Sequence, residues 1–297
     1  MSFINKIRYS LLPEKLKKKW SYEDFLYYRM QEVPFRSIES FATEEELWEY
    51  EKKLNSDEER IIFNDKREFL KRFAPYIKRD WLILNDSNEH DFLEFCKKHE
   101  KVILKPCDMY AGIGIEIYDE RIHKFDELAK KKYIAEEYVN QAEKYANIYS
   151  GSLNTMRVTT LIDSCGNPQI LFAVNQFGSG GSIVDNDDGT AIWAAIDVET
   201  GKVFAADVDT KTGIVYEKHP DTGADILGFE NICWGEVKKL ALTLSTEVKN
   251  CRLIGWDIAI TRDCAPELIE GNVTPELDLY QRMTKRGLRT QIEEKIH

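Results

Sequence analysis

The sequence lacks the long apolar segments of membrane-spanning and secreted proteins. Its longest apolar runs are five or six residues, at 170–174 and 191–196, whereas a transmembrane helix needs about 20 apolar residues. The first residues contain no apolar stretch of the kind that a signal peptide carries. We therefore expect a cytoplasmic protein.

Cysteine, histidine and positive charge are also too scarce or too scattered to define a function. The six cysteines and five histidines form no CxxC pair and no paired zinc-ligand spacing, so neither a zinc site nor a disulfide framework is indicated. Lys and Arg number 41 against 52 Asp and Glu, a formal net charge of −11. This balance argues against a protein that binds nucleic acid through its phosphate backbone.

Several common catalytic motifs are absent as well. The chain has no GxxxxGK[ST] phosphate loop, no HExxH, no GxSxG and no GxGxxG fingerprint. The acidic run at 184–189 lacks the glutamate that closes a calcium loop, because Ala195 stands at that position. A nucleotide site built from scattered residues is still compatible with these absences.

What is present indicates a globular α+β protein. Apolar residues make up 43% and charged residues 31% of the 297-residue chain, which fits one or two domains with a sizeable core. Charged, helix-like segments come first, at 44–54, 57–73 and 88–99. Later segments predict strands at 102–104, 113–118, 133–139, 156–162, 169–177, 191–198 and 203–208, and helices at 235–249 and 279–296. Turn residues at 165–168, 199–202 and 263–266 predict three hairpins.

The first twenty residues form a separate basic and amphipathic segment. Its lysines and arginine outnumber its one acid, Glu14, and its apolar residues are Phe3, Ile4, Ile7, Leu11, Leu12, Leu16 and Trp20. Such a helix either packs on the rest of the protein with its lysines in water, or rests on an anionic membrane surface.

Two strand regions carry charged side chains, and the first of them suits phosphate binding. One ends in Lys105 and is followed by a loop that contains Gly112 and Gly114. A lysine beside small residues can present a charge and backbone N–H groups to phosphates. In the strand at 133–139, alternation places Glu136 and Glu137 on opposite faces, so at least one of these acids needs a partner or water.

The predicted hairpin near the end of the chain carries three oxygen ligands. Glu270 and Asn272 are two residues apart and therefore share a face, and Asp257 lies on the neighbouring strand. Carboxylates that converge from paired strands suit Mg²⁺ with phosphate oxygens. The alternative is an exposed polar face of an edge hairpin.

Taken in order, these segments resemble the ATP-grasp superfamily of ATP-dependent carboxylate–amine ligases, in particular the branch found with sugar-transfer and polysaccharide-assembly proteins. The resemblance covers about residues 60–285 and depends on the order of its motifs. These motifs are residues 65–66, 102–106, 111–114, 134–139, 154–158, 184–186, 255–257 and 269–272.

The resemblance implies an ATP-grasp fold, in which two α+β subdomains grip ATP between antiparallel sheets. It implies a helical N-terminal region at 1–60, a small lid subdomain at 61–140 and a large subdomain at 141–297. Many relatives carry a Rossmann-like domain before the first lysine instead of helices, so the side of the cleft that binds the carboxylate is open to question.

The resemblance also assigns roles to residues. Lys66 and Lys105 would contact the ATP phosphates under a lid that contains Gly112 and Gly114, and Arg157 would face the γ-phosphate and the acyl phosphate, which makes Lys105 and Arg157 the catalytic residues. By the same resemblance, Glu136, Glu137 and Val139 would bind adenine, and Glu143 would bind the ribose. Two Mg²⁺ ions would be bound by Asp257, Glu270 and Asn272. The stretch at 178–182, near Asp185 and Asn186, either lines the acceptor site or is a flexible connection.

The activity implied is amide formation. ATP phosphorylates a carboxylate, and an amine then attacks the acyl phosphate; the small-molecule partners would be a sugar acid and an amino acid or other amine. Two alternatives remain: a phosphotransferase that acts on a hydroxyl acceptor, and a nonenzymatic ATP-binding scaffold. The sequence identifies neither substrate and does not show the oligomeric state.

Overall fold

The computed structural model describes residues 3–109, 112–181, 191–208 and 213–296. Within these ranges, the strands form two antiparallel sheets, one of four strands and one of six. The first strand begins only at Trp81, after a long helical region. The predicted α+β fold with a helical N-terminal region is confirmed.

Short helices precede the sheets and later cover them. They are α1 (Phe3–Ser10), α2 (Glu14–Lys19), α3 (Tyr22–Tyr27), α4 (Phe35–Ile38), α5 (Glu44–Leu54), α6 (Asp57–Asn64), α7 (Lys66–Phe73), α8 (Glu89–Lys98), α9 (Phe125–Lys130), α10 (Glu143–Ala146), α11 (Trp234–Ser245), α12 (Leu277–Thr284) and α13 (Arg289–Ile296).

Two segments that were predicted as single helices are each divided in two. Residues 57–73 form α6 and α7 because Asp65 is extended and its side chain caps α7, accepting a hydrogen bond from the Arg67 N–H. Residues 279–296 form α12 and α13, which part at Lys285, whose φ of 57° lies in the left-handed region. The first division places Lys66 at the first position of α7.

The small sheet contains β1 (Trp81–Ile83), β2 (Val102–Pro106), β3 (Glu116–Ile117) and β4 (Tyr133–Glu137). Their order is β1-β4-β2-β3. Burial alternates along β2, so Leu104 enters the core under this sheet and Lys105 faces the other side. Strand β1 was not predicted from the sequence, because three residues between charged segments show too little periodicity. The strand predicted at 113–118 is observed only as the two residues of β3.

The large sheet contains β5 (Thr155–Ile162), β6 (Pro168–Phe177), β7 (Ile192–Ile196), β8 (Val203–Ala206), β9 (Leu253–Ile260) and β10 (Pro266–Asn272). Their order is β10-β9-β5-β6-β7-β8. The three predicted hairpins are confirmed as the antiparallel pairs β5–β6, β7–β8 and β9–β10.

Helices cover both faces of the large sheet. Along β7, Ala194 belongs to the core on the α11 side, whereas Trp193 and Ala195 belong to the core on the side of α5 and α12. Both faces of β7 are therefore buried, which explains its continuous apolar sequence. The predicted helix at 235–249 is observed as the shorter α11.

The first forty residues build a small helical core of their own. Leu12, Leu16 and Trp20 are buried within it, so the second half of the basic segment packs on the protein. Among the described residues, no helix is both long enough and apolar enough to cross a bilayer. The large apolar side chains of this segment that stay 45% to 77% exposed are Phe3, Ile4, Ile7 and Leu11.

Candidate functional site

A narrow cleft between the two sheets brings four of the predicted site residues together. The phenyl rings of Phe63 and Phe69, from α6 and α7, line it, and the polar side chains that line it are Lys66, Lys105, Glu136 and Glu270. These residues come from α7, β2, β4 and β10, which are distant in sequence. The cleft therefore depends on how the two sheets are placed.

Lys105 is fixed in this cleft by a buried carboxylate. Its Nζ lies 2.5 Å from Oε2 of Glu136, on the neighbouring strand β4, and Nη2 of Arg79 lies 2.7 Å from Oε1 of the same side chain. Burial by itself would raise the pKa of Glu136, but the charges of Arg79 and Lys105 outweigh it and lower the pKa to about 2. Glu136 thus stays ionised and holds the Lys105 ammonium in place.

Arg79 is a residue that the sequence reasoning missed. Its guanidinium is buried, and Nη1 also donates to Oε1 of Glu267 at 2.9 Å, so it joins the small sheet to β10 of the large one. Burial would lower the pKa of Arg79, but the charges of Glu136 and Glu267 raise it above its usual range. The need of Glu136 for a partner was visible in the strand pattern; the identity of that partner was not.

Lys66 connects α7 to the loop after β2. Its Nζ donates to the Met109 carbonyl at 2.5 Å and lies 3.7 Å from Oε1 of Glu270. Farther along the loop, Gly112 and Gly114 have φ of 63° and 76°, which favour glycine. Tyr110 and Ala111, which precede these glycines in the loop, lie outside the described residues.

The chain crosses from the small sheet to the large sheet at residues 138–140. Tyr138 donates its N–H to the Lys101 carbonyl (3.1 Å), and the Asn140 carbonyl accepts from the Arg262 N–H (2.8 Å). Between them, Val139 has no hydrogen bond within the described part of the chain. Its backbone therefore offers a donor and an acceptor to a ligand.

Two predicted residues lie away from the cluster of lysines. The Glu137 side chain points to the opposite face of β4 from Glu136 and accepts the Asp80 N–H at 3.1 Å. Glu143 is the first residue of α10 and is exposed. Neither carboxylate lines the narrow cleft. Next to Glu137, Asp80 forms an ion pair with Lys98 and lies 3.1 Å from Nε2 of His99.

Asp257 is the centre of a second polar group next to the cleft. Arg157 donates from Nε to Oδ1 (2.8 Å) and from Nη2 to Oδ2 (2.9 Å), a two-point contact. Gln176, which the sequence reasoning missed, donates to Oδ1 at 3.0 Å. Burial would lower the pKa of Arg157, but the charge of Asp257 outweighs it and raises the pKa above its usual range, so the guanidinium stays charged.

The three predicted metal ligands lie side by side on the hairpin β9–β10. Glu270 is opposite Asp257 in the ladder, and Asn272 is opposite Gly255. Asn272 donates its Nδ2 to Oδ2 of Asp257 at 3.0 Å, which leaves its amide oxygen for another partner. Two carboxylates and one amide oxygen are hard donors, and this set fits Mg²⁺.

The glycine-rich stretch after β6 is only partly described. Gly178 donates to Oδ1 of Asn154 and Gly181 to the Tyr149 hydroxyl, at 3.2 Å and 2.9 Å, so this half is anchored to the loop before β5. A side chain at 178 would meet the Ser152 hydroxyl at 2.0 Å, which explains the glycine there. The predicted residues Ser182, Asp185 and Asn186 lie outside the described residues.

Comparison with known proteins supplies a family and a fold. A family model described as sugar-transfer associated ATP-grasp matches residues 126–296, more than half of the chain. The match begins after Lys66 and Lys105. No curated protein matches the chain.

Solved structures with the same fold are ATP-grasp enzymes. The chain is similar to the ATP-grasp ligase PsnB complexed with a phosphomimetic variant of its minimal precursor, Mg and ADP, with 13% identity and a TM-score of 0.50 over 95% of this chain and 73% of that one. For PsnB complexed with minimal precursor, Mg and ADP, the identity is 14% and the TM-score 0.48, over 81% of this chain and 60% of that one. For D-alanyl-alanine synthetase A from Vibrio cholerae O1 biovar eltor str. N16961, the identity is 11% and the TM-score 0.45, over 78% of this chain and 62% of that one. In the last two comparisons the chain thus spans less than two thirds of the length of the other chain.

Proposed function

The chain belongs to the sugar-transfer associated ATP-grasp family, and from this premise we propose that it is an ATP-dependent carboxylate–amine ligase. The observation that carries the proposal is the shared cleft of Lys66, Lys105 and Glu270, beside the pair of Arg157 and Asp257. Cations from one sheet and its lead-in helix face acids from the other sheet, as binding of a magnesium nucleotide between the sheets requires.

ATP would bind with its phosphates against Lys66 and Lys105. The Lys105 ammonium is held at the cleft by Glu136, and Lys66 contacts the loop that would close over the phosphates. At the crossover between the sheets, the open backbone of Val139 would pair with adenine. Glu143, four residues farther along and exposed, would accept hydrogen bonds from the ribose hydroxyls.

The proposed reaction has two steps, phosphorylation of the carboxylate and attack by the amine. A carboxylate oxygen attacks the γ-phosphorus, the bond to the β-phosphate oxygen breaks, and ADP leaves. The amine nitrogen then attacks the carbonyl carbon of the acyl phosphate, the bond between that carbon and the phosphate oxygen breaks, phosphate leaves, and the nitrogen loses a proton to water.

The chain's own residues lower the barrier through charge and position. Arg157 stays cationic beside Asp257 and would offset the charge of the phosphoryl group in transfer. Asp257, Glu270 and Asn272 would hold Mg²⁺, two ions in our proposal, which supplies further neutralisation of the phosphate oxygens. Gln176 keeps the Asp257 carboxylate oriented and is a positioning residue.

The substrates are proposed from the family description alone. A family associated with sugar transfer favours a sugar acid or a related carboxylate, joined to an amino acid or another amine during surface polysaccharide biosynthesis. Two other functions would use the same cleft: phosphate transfer to a hydroxyl, and ATP binding without turnover. The reaction products distinguish these two functions from a ligase.

The test is a phosphate-release assay with Mg-ATP across pools of amines crossed with sugar acids, followed by mass spectrometry. We expect ADP, free phosphate and a product one water lighter than its two substrates combined. A phosphorylated acceptor without free phosphate would show a phosphotransferase. ATP binding without turnover in any pool would contradict the ligase proposal in favour of a scaffold.

We also propose that α1 rests on an anionic membrane surface. Its apolar side chains, Phe3 and Ile7 among them, are exposed on the same short helix as Lys6, and a basic helix with an open apolar face suits that surface. Sedimentation with phosphatidylserine vesicles should capture the protein, and a Phe3→Ser, Ile7→Ser variant should lose this binding. A matched control, Ile61→Ser on exposed α6, should not. Equal binding by all three would contradict the assignment.

A further inference from the structure

A second, wider cleft lies on the side of the large sheet that faces the helical N-terminal region. It has a volume of about 580 Å³ and is formed by α5 and by the segment from Thr274 to the start of α12. Its charged lining residues are all acids, namely Glu44, Glu45, Glu51, Glu276 and Asp278. We call it the acidic cleft. Its size is that of a site for a small molecule.

Glu51 is the unusual residue of the acidic cleft. Its side chain belongs to a residue only 8% exposed, and its carboxylate has no hydrogen bond or ion pair within the described residues. A largely buried carboxylate without a partner is costly, because it has lost part of its hydration without a compensating contact. The charges that act on it are those of the acids Glu276 and Asp278 and of the cation Arg60.

The acidic cleft adjoins the residues of the proposed active site. Pro275, between the lining residues Thr274 and Glu276, packs over Gly255, and so does the side chain of Arg157; a Cβ at 255 would meet them at 2.9 Å and 3.1 Å. The charge of Glu276 also contributes to the raised pKa of Arg157. A ligand in the acidic cleft would therefore lie beside the Arg157 end of the site.

We propose that the acidic cleft binds the amine substrate, and that this substrate carries at least two ammonium groups, as a diamine or a basic amino acid does. The inference rests on the proposed function. An amine attacks only as the neutral form, so a monoamine would have no charge left to match five carboxylates at the moment of reaction. A dication keeps one ammonium for Glu51 and its neighbours while the other nitrogen attacks the acyl phosphate.

The test is calorimetric binding of 1,4-diaminobutane and of n-butylamine to the full chain at about pH 8, where carboxylates are ionised. We expect the diamine to bind at least about tenfold more tightly than the monoamine. Glu51→Gln should weaken diamine binding by about tenfold or more, the effect of losing a contact to a charged group. Glu45→Gln, a change at an exposed lining residue of the same cleft, should weaken diamine binding as well and serves if the Glu51 variant does not fold.

The matched control is Glu49→Gln, which removes the same charge from an exposed position on α5 outside the cleft. Equal losses in Glu49→Gln and Glu51→Gln, equal affinity for the two amines, or an unchanged Glu51→Gln would overturn the proposal. Binding of the nonhydrolysable nucleotide Mg-AMPPNP is measured on the same samples. Nucleotide binding without selective diamine binding overturns the amine site alone. Diamine binding without nucleotide binding overturns the ligase proposal, and with it the role of the diamine as a substrate.

Discussion

Replacing Glu51 by glutamine should stabilise the protein, and more so as the pH rises. The carboxylate is buried among other acids, and burial, followed by the charge of Glu276, raises its pKa from 4.5 to about 7. In the unfolded chain it titrates near the ordinary value. The folded state therefore binds this proton more tightly, so Glu51 costs nothing at low pH and its cost grows as the pH rises from 4.5 to about 7.

The size of the effect follows from the two pKa values. At 1.36 kcal/mol per pKa unit, the cost of the ionised Glu51 approaches about 3 kcal/mol above pH 7 and is about 1 kcal/mol at pH 5. Glutamine has a similar volume and never ionises. The gain in unfolding free energy for Glu51→Gln should therefore be about 2 kcal/mol larger at pH 8 than at pH 5.

Urea denaturation of both proteins at the two pH values measures this difference. The control is Glu49→Gln on the solvent side of the same helix, which should change stability by no more than about 0.5 kcal/mol at either pH. A gain that does not depend on pH, or a loss of stability at pH 8, would refute the reasoning. The first result would mean that folding does not raise the pKa of Glu51, and the second that the folded protein stabilises the ionised carboxylate.

Two further predictions concern the polar groups of the narrow cleft. Arg79→Met should lower the unfolding free energy by about 3–5 kcal/mol, because it leaves Glu136 and Glu267 buried without their partner. Chemical denaturation measures this loss, and the control Arg121→Met, at an exposed ion pair, should cost under about 1 kcal/mol. Similar losses in the two variants would contradict the prediction. Glu270→Gln should abolish Mg²⁺-dependent phosphate release while leaving the thermal midpoint nearly unchanged, because the carboxylate is half-exposed and its one ion-pair partner among the described residues is Lys66, at 3.7 Å. Turnover at the wild-type rate would remove Glu270 from the proposed metal ligands.

Features set by neighbouring residues were predictable from the sequence. The three hairpins follow from turn residues such as Gly166, whose positive φ the turn requires, and α5 occupies the predicted residues. Lys66 and Lys105 were singled out through the order of motifs, and the structure places both in one cleft with Glu270. The pattern of β4 also required a partner for a buried acid.

Features set by distant contacts were not predictable. Arg79 meets Glu136 and Glu267, which are 57 and 188 residues away, and no local pattern marks such a pair. Glu51 belongs to an ordinary charged helix by sequence; only the segment around Glu276, more than 200 residues later, makes it a buried carboxylate. The break before α13 is of the same kind, because Gly287 packs directly on the Ser40 backbone.

The most direct test of the central claim is the affinity for Mg-AMPPNP, compared between the wild type, Lys105→Ala and the exposed control Lys97→Ala. If the cleft between the sheets binds the ATP phosphates, Lys105→Ala should weaken binding by about 1.5–3 kcal/mol, that is about tenfold to a hundredfold, and Lys97→Ala should leave it unchanged. Equal affinities for all three proteins, or no binding by the wild type, would contradict the account.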